Sequence, residues 1–346
     1  MPRYKPPYQI TPDILNNVAR IGEMVGHWTA HQTFSQTPFL RRENRIKTIQ
    51  ASLAIEQNTL SLQQVTALLD GKRVLGLPKE IQEVKNAFSA YEQLDILNPV
   101  SVDDLLKTHA LMLYGLAEDA GQLRQGGVGI YRGDQLVHMA PPASRVQDLL
   151  LDLLLWLRDS PEHPLISSSI VHYELEFIHP FSDGNGRIGR LWQTLILKQW
   201  HPLFAYLPVE TLIKEKQGLY YQALREADQQ ADITVFIRFM LAALADSLAA
   251  ALSVETVVSV GGTSEISSEI SSEISAAKME QAILQALTDK PKLSAKQLAE
   301  ILSLSSRSIE KYISRLKQAG KLKRVGSPKA GYWQVVQVPS KNRSSK

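Results

Sequence analysis

The stretch His179-Pro-Phe-Ser-Asp-Gly-Asn-Gly-Arg-Ile-Gly-Arg190 gathers a proton acceptor, a carboxylate, three glycines and two arginines. His179 is the one residue in it able to take a proton near neutral pH. Asp183 offers a hard oxygen for Mg²⁺, which needs only one or two protein carboxylates beside nucleotide phosphates. Gly184, Gly186 and Gly189 allow tight turns and left-handed dihedrals. Apolar periodicity then resumes at Leu191, Leu195, Ile196 and Trp200, so a glycine-rich loop opens a helix. Backbone N–H groups converge at such a start, and the helix dipole favours an anion there. Arg187 and Arg190 add guanidinium forks that match phosphate oxygens. A surface turn would account for Gly-Asn-Gly alone. The whole string is a parts list for attack at phosphorus.

The string resembles the signature of the Fic (filamentation induced by cAMP) family, His-x-Phe-x-(Asp/Glu)-Gly-Asn-Gly-Arg-x-x-Arg, with every fixed position matched. The resemblance implies transfer of AMP from ATP to a Ser, Thr or Tyr hydroxyl of target proteins, with release of pyrophosphate. It makes His179 the base and Asp183 the Mg²⁺ ligand, and Phe181 the aromatic that anchors the loop. Gly184, Asn185, Gly186, Arg187, Ile188, Gly189 and Arg190 become the nucleotide-binding stretch. Within it Asn185 would touch the α-phosphate, Arg187 the β-phosphate and Arg190 the γ-phosphate. UMP, GMP or phosphocholine remain open as transferred groups, because the motif reads phosphates better than bases.

Three further segments fit the same resemblance. Gly129–Ala140 reads as a hairpin around Arg132-Gly133-Asp134. Its Leu136, Val137, His138 and Met139 resemble the family's flap, which takes a target peptide by strand addition; an ordinary surface hairpin is the other reading. Tyr220-Tyr221 resembles a tyrosine pair near the adenine, although aromatic pairs on a helix are usually core. Ser52-Leu-Ala-Ile-Glu56-Gln-Asn58 resembles the family's N-terminal inhibitory motif, in which Glu56 would pair with Arg190 and block the γ-phosphate. Ser52 and Glu56 share one helix face. Gln57 stands where the family has Gly or Asn, and Gln there is expected to extend the helix and change how Glu56 is presented. The same glutamate could assist hydrolysis instead, giving a remover of AMP. The resemblance also implies a homodimer.

The elements that must position these residues are almost all helical. Thr11-Pro12-Asp13, Ser61-Leu-Gln-Gln64 and Ser101-Val-Asp-Asp104 carry helix-start chemistry. Val146, Leu149, Leu150, Leu153 and Leu157 form one apolar face, and Ile166, Ile170 and Tyr173 another just before the motif. Gly261–Ala276 repeats Ser-Glu-Ile-Ser three times and reads as a linker or a short exposed helix. Beyond it, Lys278–Lys346 holds 15 Lys and Arg against 4 Asp and Glu, a net of +11. The whole chain carries +3, which leaves −8 for the body. Residues 278–338 read as three short helices and a β-ribbon, resembling a winged helix-turn-helix. By that resemblance Arg307, Lys311 and Arg315 line the recognition helix, with Lys323, Arg324 and Lys329 around the wing, a stripe suited to DNA phosphates or to a docked protein.

The expected fold is therefore mainly α. It has an N-terminal helical region over 1–98 with the inhibitory helix near 46–58, a catalytic core over 99–250, a linker over 251–277, a winged helix over 278–338 and a basic tail over 339–346. The absence of cysteine excludes disulfides and thiolate metal sites and suits a reducing cytoplasm. Leu149–Leu157 and Phe239–Leu252 are too short or too interrupted for a membrane span, so no membrane partner is expected. The reading is an autoinhibited protein adenylyltransferase. The alternative is a DNA-binding regulator whose body senses nucleotide or removes AMP.

Overall fold

Helix α1 (Pro12–His31) begins where the sequence places it: Thr11 Oγ1 accepts the Ile14 N–H at 3.4 Å, and Pro12 sits where a helix has no use for its missing N–H. The computed structural model describes residues 4–31, 38–132, 135–260, 283–288, 291, 293–294, 297–299, 306–318, 320–325 and 332–335. Helices α2 (Pro38–Ile55), α3 (Leu62–Leu69), α4 (Pro78–Glu92) and α5 (Val102–Met112) follow. Ser61 and Gln64 form the full reciprocal capping box that opens α3. At α5 the box is only half made. Ser101 accepts the Asp104 N–H, but the Asp104 carboxylate turns to the Asn98 N–H at 2.9 Å.

Strands β1 (Gly129–Arg132) and β2 (Gln135–Met139) pair antiparallel, with a register shift between Ile130 and Tyr131. Then come α6 (Ala143–Asp159), α7 (Pro164–Ile178), α8 (Asn185–Trp200), α9 (Val209–Glu215), α10 (Gln217–Gln230) and α11 (Thr234–Val260). α11 continues ten residues into the stretch 251–277 expected to be linker, because its apolar composition carries the helix on. The Ser-Glu-Ile-Ser repeat lies outside the described residues.

The chain divides into two compact units, Met1–Glu255 and Thr256–Lys346. In the first, α7 is buried nearly all round and serves two hydrophobic clusters. Ile166, Ile170 and Tyr173 pack with α1, α10 and α11; Val171, Leu175 and Ile178 pack with α2, α4, α5, α6 and α8. A helix apolar on every side belongs in a core, and its C-terminal end is then held from all directions. The motif leaves from that end. Thr234–Leu252 of α11 is long and apolar enough to cross a membrane by length and composition, a longer window than the sequence reading gave. In this fold its Phe236, Ile237, Met240, Leu241, Leu244 and Leu248 are fully buried in the first cluster.

Buried carboxyls underlie the second cluster. Glu210 on α9 is 2% exposed; its Oε1 accepts from Tyr91 OH at 3.1 Å and its Oε2 has no hydrogen-bond partner. Burial pushes its carboxyl up from 4.5 to about 7. The folded state therefore keeps a proton that the unfolded chain loses above 4.5. This contribution to stability is full below that value and is lost as pH rises through about 7. Unfolding free energies between about pH 5 and about pH 8 are expected to fall less in Glu210→Gln than in the parent.

The second unit holds helical turns at 283–288 and 297–299, α12 (Ser306–Gln318) and the antiparallel pair β3 (Leu322–Val325) and β4 (Tyr332–Val335). Ile283, Leu287, Leu298, Ile309, Ile313, Leu316 and Leu322 form its core. Ser294 and Gln297 exchange capping bonds at 3.2 and 2.9 Å, and Gly320 ends α12 with φ 69°.

Candidate active site

α7 stops because Pro180 denies its predecessor a helical conformation. His179 takes a left-handed backbone, φ 49° and ψ 60°, with its N–H on the Leu175 carbonyl. Its ring Nδ1 lies 3.4 Å from the Glu176 carbonyl oxygen. With the Nδ1 proton on that carbonyl, the ring's lone pair is on Nε2. Phe181 is fully buried and stacks face to face on His109, ring centroids 3.7 Å apart. His109 Nδ1 accepts the Gly121 N–H at 2.8 Å, so Nε2 carries the proton and donates to the Asp183 carbonyl at 3.0 Å. Burial holds His109 below the usual imidazole range, which keeps it neutral in this role.

Arg124, 3% exposed, spends its guanidinium on main-chain oxygens: His179 and Gly126, both at 2.7 Å, and Pro141 and Ile178. The main chain of Ile178 and His179 is thus held from outside the motif.

Gly184 supplies the left-handed turn, φ 83°, that starts α8, and a side chain there would strike Leu113 at 2.6 Å. Asp183 is exposed; its Oδ1 accepts the Gly184 N–H at 2.6 Å and Arg187 Nη2 at 3.1 Å. Arg187, only 4% exposed, also faces Glu83 at 3.7 Å. Arg190, 2% exposed, donates from Nε to Ser52 Oγ at 3.0 Å and from Nη2 to the Ser52 carbonyl at 3.1 Å and Glu56 Oε1 at 2.7 Å. Burial opposes the Arg190 charge, but Glu56, Tyr220 and Glu176 outweigh it and raise its pKa above the usual value.

A Cβ on Gly186 would collide with Glu56 Oε1 and stand 3.1 Å from Arg190 Nη1 and 3.3 Å from Glu176 Oε1. Two carboxyls and a guanidinium therefore crowd one point over the first turn of α8. Burial pushes Glu176 up to about 7, Arg190 opposes and Glu56 adds to the rise. The open N–H groups of that turn, the two arginines and the Asp183 carboxylate make a site for a polyanion with His179 at its edge.

Residues 99–197 match the Fic/DOC family and residues 280–332 match an HTH domain. The crystal structure of a Fic family protein from Desulfovibrio desulfuricans G20 is 48% identical, covers 97% of this chain and 99% of that one, and superposes with a TM-score of 0.71. The chain belongs to the Fic family. Protein adenylyltransferase fic-1 of Caenorhabditis briggsae is 33% identical over 215 residues, 58% of this chain and 40% of the relative. The chain thus spans about two fifths of that curated relative's length. A structure of Fic-1 from C. elegans, 24% identical over 71% of this chain and 72% of that chain with a TM-score of 0.57, shares the fold.

Within this Fic fold several expected roles shift. The Asn185 side chain accepts the Phe181 N–H at 2.9 Å and donates to the Phe181 carbonyl at 2.8 Å, so it closes the loop. Ile188 is 1% exposed in the core and its N–H goes to the Gly184 carbonyl, which removes it from the nucleotide contacts. Gly186 and Gly189 are helical and supply no left-handed dihedral. Gly189 instead lets α8 approach α7, since a Cβ would stand 3.0 Å from His172. Tyr220 is 1% exposed, with its hydroxyl at 3.1 Å from His172 Nε2, so it belongs to the core; of the pair only Tyr221 presents surface.

Gln57 does not extend α2. It takes the left-handed conformation, φ 69°, and the Gln57 and Asn58 N–H groups cap the Ala54 and Leu53 carbonyls at 3.1 Å each. Gln therefore does what Gly would do, at a conformational cost of roughly 1 kcal/mol. In the hairpin, Met139 is exposed; the side chains of Leu136, Val137 and His138 lie outside the described residues, as do those of Arg307 and Lys311 and all of Lys329. Arg315 is exposed on α12, while Arg324 lies over the Trp333 ring at 4.7 Å. Sequence reasoning missed His109, Arg124, Glu83 and Glu176. Each is an ordinary residue in a helix or loop, and only the fold brings it to the motif.

Proposed function

We propose that the chain is an autoinhibited protein adenylyltransferase that moves AMP from ATP to hydroxyls of target proteins and of itself. The observation that carries this reading is the Glu56–Arg190 pair at 2.7 Å beside Gly186, a carboxylate standing where a terminal phosphate would bind. The adenylyltransferase relatives support the donor.

ATP lies with its phosphates along the first turn of α8, where Arg187 and Arg190 neutralise the β- and γ-phosphates and the N–H groups meet the α-phosphate. His179 Nε2 takes the proton of the target hydroxyl as its oxygen attacks the α-phosphorus. The bond to the β-phosphate oxygen breaks, and pyrophosphate leaves in line with the attack. Catalysis is positioning and charge neutralisation.

Mg²⁺ fits this donor set, because Asp183 is an exposed, single hard carboxylate and nucleotide phosphates complete the shell. When bound, it would shield phosphate charge and orient the leaving group. Asp183 would hold it, giving up Arg187 to do so. Homodimerisation and a reducing cytoplasm are proposed on the family resemblance and the cysteine-free composition respectively. Intact mass after incubation with Mg²⁺ and each nucleotide in turn tests the reading. A gain of one AMP in the Glu56→Gly variant supports it, and no gain with any nucleotide sinks it.

A second reading is favoured by the HTH match and the exposed Arg315: a DNA-binding regulator whose Fic body senses nucleotide or removes AMP. A salt-dependent shift of duplex DNA that weakens in Arg315→Ala is the expected result; no shift at low salt leaves protein docking as the unit's role.

A further inference from the structure

Glu83 lies on α4, far in sequence from the motif, and is 9% exposed. Its Oε1 stands 3.7 Å from Arg187 Nη1, and its Oε2 accepts from Asn58 Nδ2 at 2.8 Å. Asn58 is itself fully engaged. Nδ2 also donates to the Glu80 carbonyl at 3.2 Å, Oδ1 accepts the Leu60 N–H at 3.1 Å, and its own N–H caps Leu53. Glu56 is two residues earlier on this fixed turn. One buried carboxylate therefore holds an arginine of the anion site with one oxygen and the end of the inhibitory helix with the other.

The two carboxylates on Arg187 differ in their surroundings. Asp183 is 59% exposed and the Glu83 side chain 11%. On the nucleotide reading above, Asp183 turns to the metal when substrate arrives. A guanidinium as buried as Arg187 is costly to leave without a counter-ion. Glu83 is the carboxylate that stays.

We propose that Glu83 is a positioning residue with two roles of opposite consequence: it aims Arg187 at the substrate's phosphates, and through Asn58 it aims Glu56 at Arg190. The proposal rests on the nucleotide-site reading. Glutamine at 83 cannot serve both partners, because its amide has one accepting oxygen and both partners are donors.

Two backgrounds separate the roles. With Glu56 replaced by Gly, so that the brake is absent, Glu83→Gln is expected to weaken Mg²⁺–ATP binding about tenfold by calorimetry. With Glu56 present and ATP saturating, the same change is expected to raise auto-modification, because the turn that presents Glu56 loosens. Asn58→Ala should raise auto-modification with Glu56 present, yet leave ATP affinity unchanged, within about twofold, in the Glu56→Gly background. A merely structural glutamate would lower both readouts in both backgrounds.

Unchanged ATP affinity in Glu56→Gly/Glu83→Gln, or an equal loss from Asn58→Ala, overturns the assignment. Should Glu83→Gln fail to fold, Glu83→Asp takes its place: its shorter arm keeps the charge but not the span, and unchanged affinity overturns the proposal equally. If the Glu56→Gly parent binds no ATP, the nucleotide site falls and Glu83 with it. If the parent binds and the variants do not shift, Glu83 alone is wrong.

Discussion

Glu56→Gly is expected to raise AMP transfer by about tenfold to a hundredfold over the parent chain. The Glu56 carboxylate meets Arg190 at 2.7 Å, and a charge-assisted hydrogen bond contributes roughly 1.5–3 kcal/mol, which is one to two factors of ten. The Glu56 side chain is 38% exposed, so water screens part of the pair and the lower end of that range is the better expectation. Arg190 keeps Ser52 when Glu56 is gone, so the guanidinium stays in place and becomes available to the γ-phosphate. Labelled ATP and intact mass, read side by side for the two proteins, check this. Equal modification of both would remove the brake from the account.

His179→Ala, made in the Glu56→Gly background, is expected to lower transfer by about a hundredfold to ten thousandfold, the range set by losing a positioned general base. ATP affinity should barely move, because the phosphates are held by the turn of α8 and the arginines rather than by the ring. That split between rate and binding is the informative part. A variant that lost both together would mean that the left-handed residue at the end of α7 was holding the loop, and that its imidazole was not the base.

The helical body and the motif's loop-to-helix geometry were legible in the chain from local signals: glycine before a helix, proline after histidine, apolar residues at helical spacing. The Glu56–Arg190 pairing joins residues far apart in sequence and was expected only from the family resemblance. What was not legible depends on burial. Tyr220 and Tyr221 are neighbours of the same type, and only packing against Phe236 and His172 sends one inward and leaves the other at the surface. Asn185 was expected at the α-phosphate from the family resemblance; the place of its side chain inside the loop is set by the Phe181 main chain. Gln57 was read by helix propensity, and the buried anchor at Asn58 overrides that preference.

The Arg124 guanidinium touches Gly126 on the way into the hairpin, Pro141 on the way out, and Ile178 and His179 at the end of α7. Both feet of the β1–β2 ribbon are thus surveyed from the same peg as the base. On the proposed flap reading, a target segment laid along that ribbon would have its hydroxyl distance to His179 set at the stem, where Arg124 holds both.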